Sequence, residues 1–247
     1  MSLLVVALIA GAVVGLALGA LGGGGSVLAV PALIYLLGFS PASATTAGLI
    51  IVTATSATAL YGHARDGNVV WRTGALFAAA GIVPAVLAGA AAGRLPAAAL
   101  TTAFAVIAAL AALRMLRPAD SEPPERIRPA KAAGAGAGLG AVTGLLGVGG
   151  GFLAVPALVG VLGMRMKQAV GTSLLVITVN SLAALTARAG GGGDLRWEVI
   201  APFTGAAILG AWDGKRLATK ITGRSLQRIF AVVLLAVAAF MLVDVIV

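Results

Sequence analysis

The sequence predicts an all-α integral membrane protein made of two inverted five-segment repeats, with short, interrupted helices at glycine-rich motifs. Composition points there first: 60% of the 247 residues are hydrophobic and only 10% are charged, against about 25% charged in soluble domains. Mean hydropathy is +1.07, and apolar stretches at 2–20, 42–62, 74–93, 97–113 and 229–247 approach or reach the roughly 20 residues that span a bilayer as a helix. The third observation is a motif that occurs twice, at 19–33 and again at 144–158.

In chain order the segments are expected at 3–20, 27–38, 42–62, 73–93 and 97–113, then at 132–146, 152–163, 169–187, 198–213 and 226–246. The first ends in small residues, as a signal peptide does, but no Lys or Arg precedes its apolar run, so it is expected to be a retained span. Segments 27–38 and 152–163 have 12 residues each, about 18 Å of helix, too short to cross alone. A hairpin or a pair of short crossings is expected there, and whether these segments fully cross or re-enter stays open. The abundance of Ala and the 35 Gly suit helices that pack closely in lipid.

The duplication runs through most of the chain. An offset of 125 superposes Gly22 on Gly147, Gly24 on Gly149, Gly25 on Gly150, Pro31 on Pro156 and Gly38 on Gly163. It also pairs Thr53 with Thr178 and Ser56 with Ser181; after a one-residue shift, Trp71 matches Trp197 and Phe104 matches Phe230. Residues 1–113 and 132–247 are therefore two transmembrane repeats, joined by the polar, Pro-rich linker 114–131.

Charge orients the segments. If each one reverses direction, 14 of the 17 basic residues fall on one side: Arg65 and Arg72, the linker cluster from Arg114 to Lys131, Arg165 and Lys167, and Lys215, Arg216, Lys220, Arg224 and Arg228. Only Arg94, Arg188 and Arg196 fall on the other. The positive-inside rule makes the rich side cytoplasmic, with the linker inside and both termini outside. Five reversals per repeat, an odd number, invert the second copy relative to the first, an arrangement that recurs in secondary transporters. The net charge of +9 thus reports topology, and no nucleic-acid partner is expected.

The glycine motifs are the candidate binding elements. Gly22, Gly23, Gly24, Gly25 and Ser26, and in the second copy Gly147, Gly149, Gly150 and Gly151, interrupt apolar runs before a short helix. Exposed backbone amides are costly in hydrocarbon unless they line a cavity or meet a ligand. A helix N-terminus offers unpaired N–H groups and partial positive charge to an anion, and glycine permits close approach. Pro31 and Pro156 are expected near the first turns of these helices. Thr45 and Thr46, with Thr172 and Ser173, read as a second pair of helix starts, so that four N-termini could converge at mid-membrane. Asn180 lies mid-segment beside Ser181, and Asp213 and His63 are candidates for coupling. Close packing by glycine and back-bonding by Ser and Thr are the competing structural roles.

Other chemistries are excluded or disfavoured. Without Cys there is no disulfide, thiol chemistry, cysteine-ligated zinc or Fe–S cluster, and the single His63 rules out a multi-His metal site within one chain. No Lys-Ser/Thr follows either Gly run, so there is no P-loop. No nucleophile–base pair suggests an enzyme, and no cofactor or metal is expected.

The paired motifs at 22–31 and 147–156, the helix start at 169–173 and the elements Gly67…Trp71 and Gly193…Trp197 resemble the TauE/SafE, sulfite exporter-like family of bacterial membrane proteins. The resemblance implies secondary transport of a small sulfur-containing anion, such as sulfite or a sulfonate, across the bacterial inner membrane. It leaves open a homo-oligomer, a non-transporting scaffold or partner subunit, and an anion channel. The copies differ where Thr46, Ala47 and Gly48 stand opposite Gly171, Thr172 and Ser173, so a ligand-binding site there would be asymmetric.

Overall fold

The computed structural model describes residues 3–92, 97–116, 128–146, 151–187 and 195–246. Helices account for every expected segment: α1 (Leu3–Leu21), α2 (Gly24–Pro31), α3 (Pro41–Arg65), α4 (Trp71–Ala92), α5 (Ala97–Leu116), α6 (Pro129–Leu146), α7 (Gly151–Gly160), α8 (Met166–Ala187), α9 (Trp197–Lys220) and α10 (Gly223–Ile246). The described residues contain no strand. Five of these helices, α1, α3, α4, α8 and α10, are long and apolar enough to cross a bilayer by themselves. Large apolar side chains on the outside, among them Ile9, Val83, Leu87 and Leu209, suit lipid and not water.

Local chemistry sets the helix ends. α1 stops at Gly22, whose φ of 69° is the left-handed cap that glycine adopts without strain, and its N–H donates to the Leu18 carbonyl at 2.8 Å. The chain then reverses, laying Gly25 against Leu18 and the Val14 carbonyl. α2 ends at Pro31 and passes into a π-helical turn, Ala32–Leu36. The prolines therefore do not sit in first turns: Pro31 closes α2, and Pro156 is the sixth residue of α7, because both helices begin earlier than expected, at Gly24 and Gly151.

The second pair of helix starts also moves. Ser40 caps α3, accepting from the Ser43 N–H, and Pro41 occupies the first turn. Thr45 and Thr46 are consequently one turn inside α3, and Thr172 and Ser173 lie well inside α8, which starts at Met166. Only α2 and α7 bring helix N-termini to the glycine motifs. α9 runs past its expected end at 213 to Lys220, so Lys215 and Arg216 ride on a helix.

Two glycine seams hold the bundle together. On α1, a Cβ added at Gly11, Gly15 or Gly19 would land on the backbone of Phe203, Ala207 or Ala211 of α9. On α6, Gly136 and Gly140 meet the backbone of Phe77 and Gly81 of α4 in the same way. Both seams advance in step along their partners, so α1 runs parallel to α9 and α6 parallel to α4. Such approach places Cα–H groups on facing carbonyls. Each seam joins a helix of one sequence half to a helix of the other. Among the further contacts, those of α3 with α8, α5 with α10 and α2 with α7 each pair an element with its own repeat counterpart.

The apolar core divides accordingly. One part joins α1, α2, α3 and α9, with Leu174 and Ile177 of α8. The other joins α4, α5, α6, α7 and α10, with Val170 and Val176 of α8, and takes in Ala20 and Leu21 of α1 and Ala218 of α9. The packing units are therefore interlaced and do not coincide with the sequence halves. Substituting Gly15→Ala should destabilise the protein by about 1–3 kcal/mol, the usual cost of overpacking. Gly134→Ala, where a Cβ meets nothing within 4 Å, should stabilise it by about 0.5–1 kcal/mol. Unfolding of the detergent-purified variants checks both signs.

Candidate functional site

The structure brings part of the expected site together where α2 and α7 meet. Both helices begin on glycine, and Gly23, the N-cap of α2, makes no side-chain cap hydrogen bond. A Cβ on Gly23 would collide with the Gly151 carbonyl and the Phe152 Cα, so the two helix starts abut backbone to backbone. Gly22 is packed beside α8: a Cβ there would lie 2.5 Å from the Ser173 Oγ and 3.2 Å from the Val170 carbonyl. Ser173, fully buried, donates to that same Val170 carbonyl at 2.8 Å. Gly22, Gly23, Gly151 and Ser173 thus form one backbone-lined centre.

The other expected residues are placed differently. Gly24 opens α2, and Gly25 serves the contact with α1. Thr45 and Thr46 are half-buried on α3. Thr172 is buried and fixes the α3–α4 loop, accepting from the Val70 N–H at 3.0 Å. Gly147, Gly149 and Gly150, and the side chain of Ser26, lie outside the described residues. Asn180 sits two turns beyond Ser173 on the same face of α8, half-buried, with its Oδ1 enclosed and without a hydrogen-bond partner.

A second polar locus was not singled out by the sequence. At the middle of α3 and α8 the Ser56 Oγ and Thr178 Oγ1 lie 2.9 Å apart, while Thr178 donates to the Leu174 carbonyl at 2.7 Å. Their repeat counterparts, Ser181 and Thr53, lie on the same two helices. Thr53 Oγ1, Thr55 Oγ1, His63 Nδ1 and Asn180 Oδ1 are the buried, unpartnered polar side-chain atoms among the described residues, and all four belong to α3 or α8. Thr55 and Asn180 are themselves 125 residues apart. Buried polar groups almost always find partners, and Thr53, Thr55 and Asn180 leave hydrogen-bonding capacity near the middles of α3 and α8. The regular 125-residue spacing of these polar positions was the available sequence signal.

The coupling candidates separate clearly. Asp213 is exposed and faces Arg216 at 3.4 Å, an ordinary surface pair. Lys215 turns away from it to Asp66, at 2.8 Å, and donates to the Gly62 carbonyl at 2.7 Å. His63 is buried, with Nε2 at 3.1 Å from the Gly19 carbonyl. His63 and Lys215 thereby occupy the last-turn carbonyls of α1 and α3, where helix dipoles favour donors and cations. Elsewhere Arg196 donates to the Leu37 carbonyl at 2.5 Å and stacks 4.2 Å over the Phe39 ring, tying the π-helical turn to the start of α9.

An all-helical bundle with lipid-facing sides, broken helices and polar groups concentrated in its interior defines a polytopic membrane transporter. The chain belongs to the family described as "Sulfite exporter TauE/SafE", which matches it over residues 7–241. A "Probable membrane transporter protein" of Xylella fastidiosa (strain Temecula1 / ATCC 700964) is 33% identical over 249 residues, covering 97% of this chain and 95% of its own. Its counterpart in strain 9a5c is 34% identical with the same coverage.

A double-mutant cycle of Ser56→Ala and Thr178→Val should give a coupling energy of about 0.6 kcal/mol, the average for interhelical hydrogen bonds in a membrane. Unfolding of the four proteins in one detergent measures it, and additive effects would show that the two hydroxyls are not bonded.

Proposed function

We propose that this membrane transporter is a secondary carrier of a small, sulfur-containing anion, such as sulfite or a sulfonate, in the bacterial inner membrane. One observation carries the proposal: the N-termini of α2 and α7 abut at Gly23 and Gly151. Each N-terminus carries roughly +0.5 of an elementary charge. Two such ends in contact repel one another, and an anion held between them converts the repulsion into binding. The buried Ser173 hydroxyl, the glycines of both motifs and Asn180 complete the pocket, which needs no fixed buried charge. A site of this kind releases its ligand more readily than one built on a buried arginine. The names of the family and of the relatives support the substrate class.

Alternating access follows from the interlaced packing. The core of α1, α2, α3 and α9 moves against that of α4, α6 and α7, with α8 at the seam and the anion between the cores. The parallel pairing of α1 with α9 and of α6 with α4 is compatible with the inverted topology, since an even number of reversals separates each pair, and the charge asymmetry supports both termini outside and the linker cytoplasmic. Of the two coupling candidates, His63 suits a proton-linked step better, since it bridges α1 and α3 inside the bundle while Asp213 faces outward.

Reconstituted protein should show saturable counterflow of sulfite or a sulfonate, and Gly24→Leu or Gly149→Leu should abolish it while leaving insertion intact. Normal flux in either variant would remove the site assignment, and flux without counterflow would point to a channel. His63→Gln should retain counterflow but lose accumulation driven by a pH gradient; accumulation at the wild-type level would sink the coupling role.

A further inference from the structure

Differences between the two copies excavate a groove on one side of the protein. A cavity of about 380 Å³ lies between α5, α6 and α7, lined by Leu110, Arg114, Gly138, Val142, Gly160 and Val161 among others. Apart from Arg114, every residue of its lining is apolar. In the other copy the repeat offset puts Val13 at the position of Gly138, Tyr35 at that of Gly160 and Phe240 at that of Arg114. The register is secure, since Phe-Ala-Val at 104–106 and Met-Leu at 115–116 of α5 recur at 230–232 and 241–242 of α10. There Tyr35 and Phe240 pack edge to face, with ring centroids 6.2 Å apart. On the groove side that aromatic plug is gone. A Cβ added at Gly138 or Gly160 would meet nothing within 4 Å, so neither glycine is there to admit a neighbouring helix.

The shape and charge of the groove indicate its occupant. Leu110 and Val161 are 60% and 44% exposed, which opens the groove sideways into the bilayer. Arg114 stands near the end of α5 where the basic linker begins. Lys131, exposed on α6, lies one turn before the lining residue Ala135 on the same helix face. An apolar slot open to lipid, with two cations at its aqueous end, matches an acyl chain bearing a phosphate. Arginine in particular forms paired hydrogen bonds to phosphate oxygens. We propose that the groove is a binding site for one anionic phospholipid of the leaflet on the linker side, with its chain against Gly138 and Gly160 and its phosphate between Arg114 and Lys131. This inference does not depend on the identity of the transported solute.

The test is native mass spectrometry of the full chain released from micelles containing phosphatidylglycerol and phosphatidylcholine, together with thermal unfolding in each lipid. Wild-type protein should retain one phosphatidylglycerol, and that lipid should raise Tm more than phosphatidylcholine does. Arg114→Gln should cut the preference by about fivefold, the factor one cation near an anionic surface contributes. Gly160→Tyr, which restores the side chain of the other copy, should abolish retention of the lipid. Arg114 is exposed, so its replacement keeps a folded variant in the comparison. Equal retention of both lipids by the wild type, or undiminished phosphatidylglycerol binding in Gly160→Tyr, would overturn the proposal. A dimer that Gly160→Tyr dissociates would overturn it as well, because the groove would then seat a second copy.

Discussion

The fold depends on the backbone contact that Gly11, Gly15 and Gly19 allow between α1 and α9, and that Gly136 and Gly140 allow between α6 and α4. In lipid there is little hydrophobic drive to bring two apolar helices together, so close packing and Cα–H···O contacts carry the association. These seams decide which helices form a unit. Because each seam joins a helix of the first half of the sequence to one of the second, the sequence halves are not separate packing units.

With the seams fixed, the interior polarity falls on α3 and α8. These helices cross at their middles and carry the unpartnered buried polar groups among the described residues, and α8 also reaches the glycine break through Ser173. The α1, α3 and α9 ends are tied at one level by His63 on Gly19 and by Lys215 on Gly62 and Asp66. His63 and Lys215 thus place donors on the last-turn carbonyls of α1 and α3.

Much of this was legible in the sequence, for physical reasons. Hydropathy located all ten segments, and the 125-residue offset identified α2 and α7 as counterparts, because Gly and Pro are irreplaceable where the chain breaks. Helix starts were less legible: Ser40 and Pro41 begin α3 ahead of Thr45, and α8 begins at Met166, so hydroxyls that looked like caps serve other bonds. The burial of His63 was hidden because its partner is a carbonyl 44 residues earlier, on α1. The interlacing was hidden for the same reason. A glycine every fourth residue announces a close neighbour but not which helix it will be.

The α1–α9 seam also constrains how the protein is made. Leu21 ends α1 and Trp197 begins α9, 176 residues later, so at about 5–20 residues per second α1 spends on the order of ten to thirty seconds in the membrane with its glycine face uncovered. During that interval α4 and α6 can already close their own seam. One core is thus assembled while the other waits for the ninth helix, and a ribosome that stalls before residue 197 leaves an inserted α1 without its partner. Such a product is what membrane quality control would see first, which makes the late arrival of α9 a checkpoint on the completeness of the chain.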